Sequence, residues 1–462
     1  MTSERESDSK RLAVLIVGAG LAGLTAARVL REHHAVTVYE RGGAAVATGG
    51  QGVFIGSNGM KILNPLGYEG EGARVGGVPC HWYRIFDGQN NMVEEVRMDL
   101  KKRFGADTLT QKRSDFRDEL VRLATAASGE LGIGGGPARV VYGKAVVGLD
   151  PEEGVITLSD GTTVAGDVIV GKCGSIFDTP LADGIHSRLR PAIAGEDAPK
   201  VQKTGHLAYR VAVDVEAADR ALRGANGEPP LPPPLWWRPE TSRNASLFIN
   251  GPPGSRRFAM AYPMRRHACF NISCIMETQV SSRSTTESWH ADGDRDAMLE
   301  AFGWDRGLQR ILGSATEVKC WELQDLGPLP TWTRGRAILI GDAAHAMTPM
   351  QGQGATMSVE DAEGLRLLNG ENDDAAAATG ETGTGTRAGT VHREDVPAVL
   401  RRIESVRRPR AGAALALVRA THGRLTGHGK FQDKSDFFMG YNGIYAALAE
   451  KEKADGQPGG ES

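Results

Sequence analysis

The sequence predicts an α/β protein with a Rossmann-type dinucleotide-binding domain, a second domain built on an antiparallel sheet, and a C-terminal helical segment. Two blocks near opposite ends of the chain predict the first domain, because each combines an apolar strand, a glycine-rich turn and the start of a helix. Alternating apolar residues between the blocks predict the antiparallel sheet. The 462 residues, 40% of them hydrophobic, suffice for two or three structural units.

Composition excludes several classes of protein. The formal net charge of -3 gives no indication of a nucleic-acid or acidic-lipid partner. The five cysteines include no Cys-x-x-Cys pair, so we expect no metal site, no disulfide framework and a reducing compartment. Residues 1–10 are polar, and no apolar run is long enough to cross a bilayer. We therefore expect a soluble, cytoplasmic protein without a transmembrane segment, whose oligomeric state stays open.

The first block predicts a nucleotide cradle. The apolar run 12–17 is followed by Gly18, Gly20 and Gly23, then by a helical pattern and a second strand that ends at Glu40. The first glycine permits a tight turn, the second lets a pyrophosphate approach the backbone, and the third lets helix and strand pack closely. Glu40 stands where a carboxylate accepts hydrogen bonds from ribose hydroxyls. The motif by itself fits FAD and NAD equally well.

The second block carries the more specific signal. An apolar strand leads into Gly341 and Asp342, and a Gly-Gln-Gly-Ala turn at 352–355 precedes a predicted helix. This block resembles the GD motif of the class A FAD-dependent monooxygenases, the family of para-hydroxybenzoate hydroxylase and salicylate hydroxylase. The resemblance implies non-covalently bound FAD, with Asp342 at the ribityl chain and the backbone of Gly354 and Ala355 beside the isoalloxazine.

Three further residues take a cofactor role from the resemblance, and each has a plainer alternative. Arg113 matches the family arginine that opens a helix and contacts the cofactor, although alone it would be a solvated cation. Arg41 follows Glu40 and could lie over the adenine or at the surface. Gly52 occupies the place where the family backbone passes the flavin, unless the segment is simply a flexible loop.

The third family motif is interrupted. Family members have Gly-Ala-Asp-Gly at a strand end, near the pyrophosphate, followed by an arginine. Here Gly171 is separated from the matching Asp183 and Arg190 by residues 172–181, KCGSIFDTPL. The segment is either a loop inserted at the surface or a gene-model artefact. Both interpretations leave the cofactor contacts of Asp183 and Arg190 in doubt.

The resemblance implies an NAD(P)H-driven monooxygenase that acts on an aromatic or polyketide-like molecule, as in secondary metabolism. NAD(P)H reduces FAD as a transient co-substrate, and reduced flavin with O2 gives a C4a-hydroperoxide that hydroxylates or epoxidises the substrate. Arg210 matches a family position that faces the substrate, and a structural ion pair is its alternative. Tyr209 should point to the opposite face of the strand. Tyr262, Trp237 and Phe270 are further pocket candidates, although such aromatics more often form core.

Two other functions stay open: a flavin oxidase or dehydrogenase, and a flavin-binding protein impaired by the insertion at 172–181. His345 is predicted to support the second turn rather than to act as a base. The predicted division of the chain is 1–85, 106–190 and 319–369 for the FAD-binding domain, 86–105 and 191–318 for the substrate domain, 370–393 for a low-complexity spacer, and 394–462 for the helical segment. In that last segment a solvated helix face is predicted for Arg401, Arg402, Arg407, Arg408 and Arg410.

Overall fold

The computed structural model describes residues 11–44, 51–171, 187–224, 228–278, 292–370, 391–422 and 431–456. Its strands are β1 (Ala13–Val17), β2 (Ala35–Glu40), β3 (Gly52–Ile55), β4 (Val78–Pro79), β5 (Trp82–Phe86), β6 (Met92–Arg97), β7 (Leu109–Lys112), β8 (Arg139–Tyr142), β9 (Val146–Asp150), β10 (Val155–Leu158), β11 (Thr163–Ala165), β12 (Val168–Gly171), β13 (Val201–Asp214), β14 (Ala245–Asn250), β15 (Arg257–Met264), β16 (Cys269–Glu277), β17 (Val318–Leu326), β18 (Thr333–Arg334) and β19 (Ala337–Leu339). Its α-helices are α1 (Leu21–Leu30), α2 (Ser57–Leu63), α3 (Leu100–Phe104), α4 (Arg113–Thr125), α5 (Ser128–Leu131), α6 (Leu189–Ala194), α7 (Val215–Leu222), α8 (Pro239–Ser242), α9 (Arg295–Phe302), α10 (Arg306–Gly313), α11 (Asp342–His345), α12 (Gly354–Gly364), α13 (Val396–His422), α14 (Phe431–Met439) and α15 (Ile444–Asp455).

The first large sheet has the strand order β18-β19-β12-β1-β2-β8. All its neighbours pair in parallel except β18 and β19. Helix α1 crosses over between β1 and β2, and α12 packs against both α1 and α2. The apolar run of β1 is buried on both faces because helices or loops cover the sheet on each side. The predicted Rossmann-type domain is confirmed.

The second large sheet has the order β17-β13-β16-β15-β14-β5-β6, and its neighbours are antiparallel except for β14 and β5. Helices α7, α9 and α10 cover one face, where Tyr209 packs edge-on against Phe302. Trp237 and Phe270 lie in the same covered core with ring centroids 4.8 Å apart. These two aromatics are therefore core residues. The opposite face of the sheet carries Arg210 and Tyr262, as the alternation of side chains requires.

The two large sheets do not divide at the predicted domain boundaries. Strand β5 begins at Trp82 and pairs in parallel with β14, so residues 82–85 belong to the second sheet. Strand β17 begins at Val318 and also lies in that sheet, although 319–369 was predicted to belong to the first domain. The reason is that β5 finds its partner more than a hundred residues away, and no local pattern reveals such a pairing.

The long C-terminal helix α13 packs against α12, α15 and β18. The prediction of a solvated arginine face holds for Arg401, Arg402 and Arg408, which are exposed. It is wrong for Arg407, which is fully buried, and for Arg410, whose side chain is 13% exposed. Both turn inwards because α12 offers them buried carboxylates. In the part of the chain described here, no helix combines the length and apolarity needed to cross a membrane.

Candidate active site

The phosphate cradle forms at the carboxyl end of β1. Gly18 has a φ of +101°, and its N–H donates to the carbonyl of Tyr39 at 2.8 Å. A Cβ atom on Gly23 would lie 2.1 Å from the Gly18 carbonyl oxygen, so this position requires glycine. Gly20 precedes α1 without a side-chain cap, which leaves first-turn N–H groups for an anion. The three glycines thus have the geometry that their spacing predicts.

Glu40 and Arg117 flank this cradle. One carboxylate oxygen of Glu40 accepts from the Ala19 N–H at 2.7 Å, and the other accepts from the Gly42 N–H at 2.8 Å. Arg41 follows and is partly exposed. Arg117, which sequence reasoning missed, is buried and donates to the Ala19 carbonyl at 3.4 Å. Its spacing of four residues from Arg113, one helical turn, is the signal that would have revealed it.

The second glycine turn follows β19, in the same parallel sheet. Gly341 has a φ of +59°, and Asp342 is the first residue of α11. Burial lowers the pKa of Arg113, the Asp342 carboxylate opposes that effect, and Arg210 adds to it. These three predicted residues therefore lie close enough to interact. Arg190 donates to the Ala343 carbonyl at 3.0 Å, so it too contacts this turn.

Helix α12 begins at Gly354, with Ala355 partly exposed beside it. The nearest atom to a Cβ on Gly354 would be Met347 Cγ at 3.8 Å, so the helix start is open. Gln353 at the helix cap is buried, and its side-chain oxygen has no hydrogen-bond partner within the described ranges. The buried amide nitrogen of Gln51 has none there either. Because a buried polar atom without a partner costs about 1–3 kcal/mol, these two atoms fit a polar ligand such as FAD.

Gly52 lies against the second sheet. Its N–H donates to the Asn271 side-chain oxygen at 2.8 Å. A Cβ on Gly52 would lie 2.6 Å from the Tyr262 ring, so only glycine allows this approach. The alternative of a flexible loop is wrong for Gly52, which starts strand β3 and is held by two side chains of the substrate-side sheet.

Arg210 and Tyr262 lie together on the uncovered face of that sheet. The Arg210 Nε donates to the Ser273 hydroxyl at 3.0 Å, and its guanidinium lies 5.6 Å from the Trp321 ring centroid. Tyr262 is 2% exposed. Burial raises the pKa of Tyr262, and the hydrogen-bonded Arg210 guanidinium partly opposes that rise. The predicted opposition of Arg210 and Tyr209 across β13 is confirmed.

An apolar wall surrounds this pair. Its residues come from five strands of the second sheet, β13 to β17, and from the turn before α12. They are Ala208, Phe248, Phe258, Ile275, Trp321, Leu323 and Met350. Small-molecule sites are typically lined by apolar and aromatic side chains, with a small number of polar groups among them. We name these seven residues the pocket wall.

Other predicted features have different outcomes. Asp183 and the insertion at 172–181 lie outside the described residues, so the role of Asp183 stays a prediction. His345 is a framework residue as predicted, because its Nε2 bonds the Asp361 carboxylate at 2.6 Å. Within the described ranges no group of three or more potential metal ligands occurs.

Both glycine turns lie at the carboxyl edge of one parallel sheet, and arginines stand between them, which defines a dinucleotide-binding protein. A family model for an FAD-binding domain matches residues 182–367, and one for an NAD(P)-binding Rossmann-like domain matches residues 16–67. The chain belongs to the class A FAD-dependent monooxygenases, as its similarity to known members of that family shows.

Two curated relatives and one solved structure document the similarity. The 6-hydroxynicotinate 3-monooxygenase of Pseudomonas fluorescens is 28% identical over 397 residues, which are 84% of this chain and 90% of the relative. The enzyme of the same name from Bordetella bronchiseptica is 30% identical over 375 residues, 79% of this chain and 85% of the relative. A salicylate hydroxylase substrate complex superimposes with a TM-score of 0.67 at 23% identity, over 95% of this chain and 98% of the other.

These similarities confirm FAD as the cofactor and monooxygenation as the type of reaction. The relatives named here are monooxygenases, so they lend no support to a flavin oxidase or dehydrogenase. The roles assigned to individual site residues stay predictions, because similarity of whole chains does not test them.

Proposed function

We propose that this monooxygenase hydroxylates a small, electron-rich aromatic molecule that carries a negative charge, with NAD(P)H and O2 as co-substrates. The observation that carries the proposal is the guanidinium of Arg210. It is only half-buried, and within the described residues its partners Ser273, Trp321 and Tyr262 are uncharged. A structural ion pair, the alternative for Arg210, finds no carboxylate there. A cation among uncharged and apolar groups favours an anionic ligand.

The similarity to relatives supports the same class of substrate. Two of them act on 6-hydroxynicotinate, an aromatic ring with a hydroxyl and a carboxylate. A ring of this size fits a site whose pocket wall includes Trp321 and Phe258. We propose that the wall holds the flat face of the ring and excludes water, while Arg210 binds the anionic group and fixes the orientation of the ring.

Tyr262 is buried behind Arg210, which favours a positioning role. We propose that its hydroxyl holds the guanidinium in place, and that its ring fixes the distance between Gly52 and the substrate-side sheet. If the bound anion is a phenolate, Arg210 also stabilises the ionised oxygen and keeps the ring electron-rich. FAD supplies the oxygen activation when it is bound, and Asp342, Gly354 and Ala355 would hold it.

The test is substrate-stimulated oxidation of NADH and NADPH with a panel of hydroxylated aromatic acids and neutral analogues of the same rings. We expect stimulation by the anions and a product heavier by one oxygen atom. Arg210→Gln should lower kcat/KM for the anions by roughly 10- to 100-fold, the size of a lost charge-assisted hydrogen bond.

Matched variants make the result specific. Arg210→Lys keeps the charge and should recover part of the loss, whereas Arg220→Gln, an exposed arginine of α7, should leave kcat/KM unchanged. Equal losses for anionic and neutral substrates in Arg210→Gln would contradict the proposed anion contact. An absence of oxygenated product with every compound would contradict the aromatic substrate class.

A second candidate is a flavoprotein whose turnover is impaired by the inserted segment. The match to the FAD-binding domain begins at residue 182, directly after residues 172–181. Deleting this segment should then raise the flavin content of the purified protein and its turnover. Unchanged flavin content and turnover after the deletion would identify the segment as an ordinary insertion.

A further inference from the structure

A buried group of charged side chains lies against the second glycine turn and shares no residue with the pocket wall. It consists of His345, Glu360, Asp361, Arg407 and Arg410, and we name it the ionic cluster. Arg407 and Glu360 have no exposed side-chain surface, and Asp361 is 1% exposed. The arginines come from α13 and the carboxylates from α12, so the cluster joins the C-terminal helix to the cofactor domain.

Asp361 is the link between the turn and the C-terminal helix. One of its oxygens accepts from the Gly341 N–H at 2.9 Å and from His345 Nε2 at 2.6 Å. The other accepts from Arg407 Nε and Nη2, each at 3.0 Å. The same carboxylate therefore holds the backbone immediately before Asp342 and is itself held by Arg407.

Glu360 is a second buried carboxylate of the ionic cluster and also requires positive charge beside it. Its carboxylate accepts from Asn58 at 2.6 Å, from Arg410 at 2.7 and 2.8 Å, and from Arg407. Glu360 and Asp361 are adjacent on α12, and two buried carboxylates at neighbouring positions repel each other unless cations compensate them. Arg407 is the side chain that contacts both, so its removal affects both carboxylates.

From these contacts we infer that Arg407 is a positioning residue for FAD, acting through Asp361 on the Gly341–Asp342 turn. The turn depends on such support because Gly341 (φ +59°, ψ -142°) is a glycine, which loses more conformational freedom on being ordered than any other residue. Loss of Arg407 removes one of the two cations that compensate Asp361 and leaves His345 as the other, so the Asp361 carboxylate shifts or takes up a proton more readily and its bond to the Gly341 N–H weakens. Part of the affinity for FAD is thus built by the C-terminal helix.

The experiment titrates FAD into flavin-free full-length protein and follows flavin fluorescence, at a temperature well below the unfolding of every variant. Arg407→Met keeps the length of the side chain without the charge, and should raise the Kd for FAD by at least about tenfold. Arg407→Lys keeps the charge without the paired contacts, and should give an intermediate Kd. Arg401→Met, at an exposed position of the same helix, should stay within about twofold of the wild type.

Thermal unfolding of the flavin-free variants separates positioning from general destabilisation. Arg419→Gln loosens α13 at its ion pair with Asp325, outside the ionic cluster, and should lower stability slightly without changing the Kd. An unchanged Kd in Arg407→Met, or an equal rise in Arg419→Gln, would overturn the inference. If Arg407→Met does not fold, Arg407→Lys decides: a raised Kd supports the positioning role, and a wild-type Kd refutes it.

Discussion

The two glycine turns of the candidate cofactor site are stabilised by different contacts. The first is held mainly within residues 18–40, by backbone groups and the carboxylate of Glu40, and Arg117 adds one bond of 3.4 Å to the Ala19 carbonyl. The second depends on Asp361, which accepts hydrogen bonds from the Gly341 N–H and from Arg407. The charges that stabilise it are buried between α12 and α13. Two similar strand-turn-helix patterns in the sequence are therefore stabilised differently, the first turn mainly by steric packing and the second mainly by buried charges.

The physical difference has a practical consequence. Close packing between Gly23 and the Gly18 carbonyl depends on the absence of a side chain, so it needs no distant partner. The turn at Gly341 depends on a buried carboxylate, and a buried carboxylate requires cations near it. Substitutions at the first turn should therefore act through steric overlap, and substitutions at the second should act through the loss of charge compensation.

Asp361→Asn should have the largest effect on the free energy of unfolding. The change leaves Arg407 and His345 without their shared carboxylate, and breaking a buried pair costs about 3–5 kcal/mol. Denaturant unfolding of the flavin-free protein measures the loss. A cost below about 1 kcal/mol is the size expected for a surface ion pair, and it would contradict the proposed dependence of the second turn on buried charges.

The ion pair between Asp361 and His345 makes the stability of the protein depend on pH. Burial alone raises the pKa of Asp361, but His345 and Arg407 outweigh it and lower that pKa to about 2. The contribution of Asp361 is therefore present above its unfolded pKa of about 3.9 and is lost as the pH falls towards 2.

The contribution of His345 to stability changes with pH in the opposite direction to that of Asp361. Burial lowers its pKa, yet Asp361 outweighs burial and raises it, so its contribution is complete below the unfolded pKa of about 6.5 and is lost at higher pH. The stability difference between wild type and Asp361→Asn should peak between about pH 4 and 6.5. Unfolding curves at several pH values test this, and a pH-independent difference would speak against ionic coupling.

Gly23→Ala should have the next largest effect, confined to the first turn. The added Cβ meets a backbone oxygen at 2.1 Å, and overpacking of this kind costs about 1–3 kcal/mol. We expect weaker FAD binding with no pH dependence from this change. Gly129→Ala, where a Cβ meets nothing within 4 Å, is the matched control. Equal FAD affinity in both variants would mean that the cradle adjusts to the extra atom.

Arg419→Gln should have the smallest effect. Its ion pair with Asp325 has bonds of 2.8 and 2.9 Å, but the arginine side chain is 39% exposed. Partly exposed pairs contribute at most about 1 kcal/mol, so thermal unfolding should shift by only a few degrees. A loss as large as that of Asp361→Asn would show that the whole length of α13, rather than the ionic cluster, holds the cofactor domain together.

Several features could be predicted from the sequence because their causes are local. The run of β1, the glycines after it and Glu40 follow one another within a single βαβ unit, and steric rules link their order to their geometry. The opposition of Arg210 and Tyr209 follows from strand alternation alone. The resemblance of the block around Asp342 to a known motif then selected FAD over NAD, which the first block could not do.

Other features could not be predicted from the sequence because they depend on contacts between distant segments. Arg407 and Arg401 occupy one helix and have the same local chemistry, yet one is buried and the other exposed. Only the packing of α13 against Glu360 and Asp361 distinguishes them. The entry of β5 into the second sheet and the contact of Tyr262 with Gly52 have the same origin.

By itself, therefore, the sequence determined the cradle, because steric constraints on neighbouring residues leave few alternatives, and the resemblance of its second block to a known motif indicated the class of cofactor. Only the tertiary structure decided which charges are buried and which glycine approaches which side chain. Burial depends on the partner that another segment supplies, and the free energy of a charge depends on that partner more than on its neighbours in the chain.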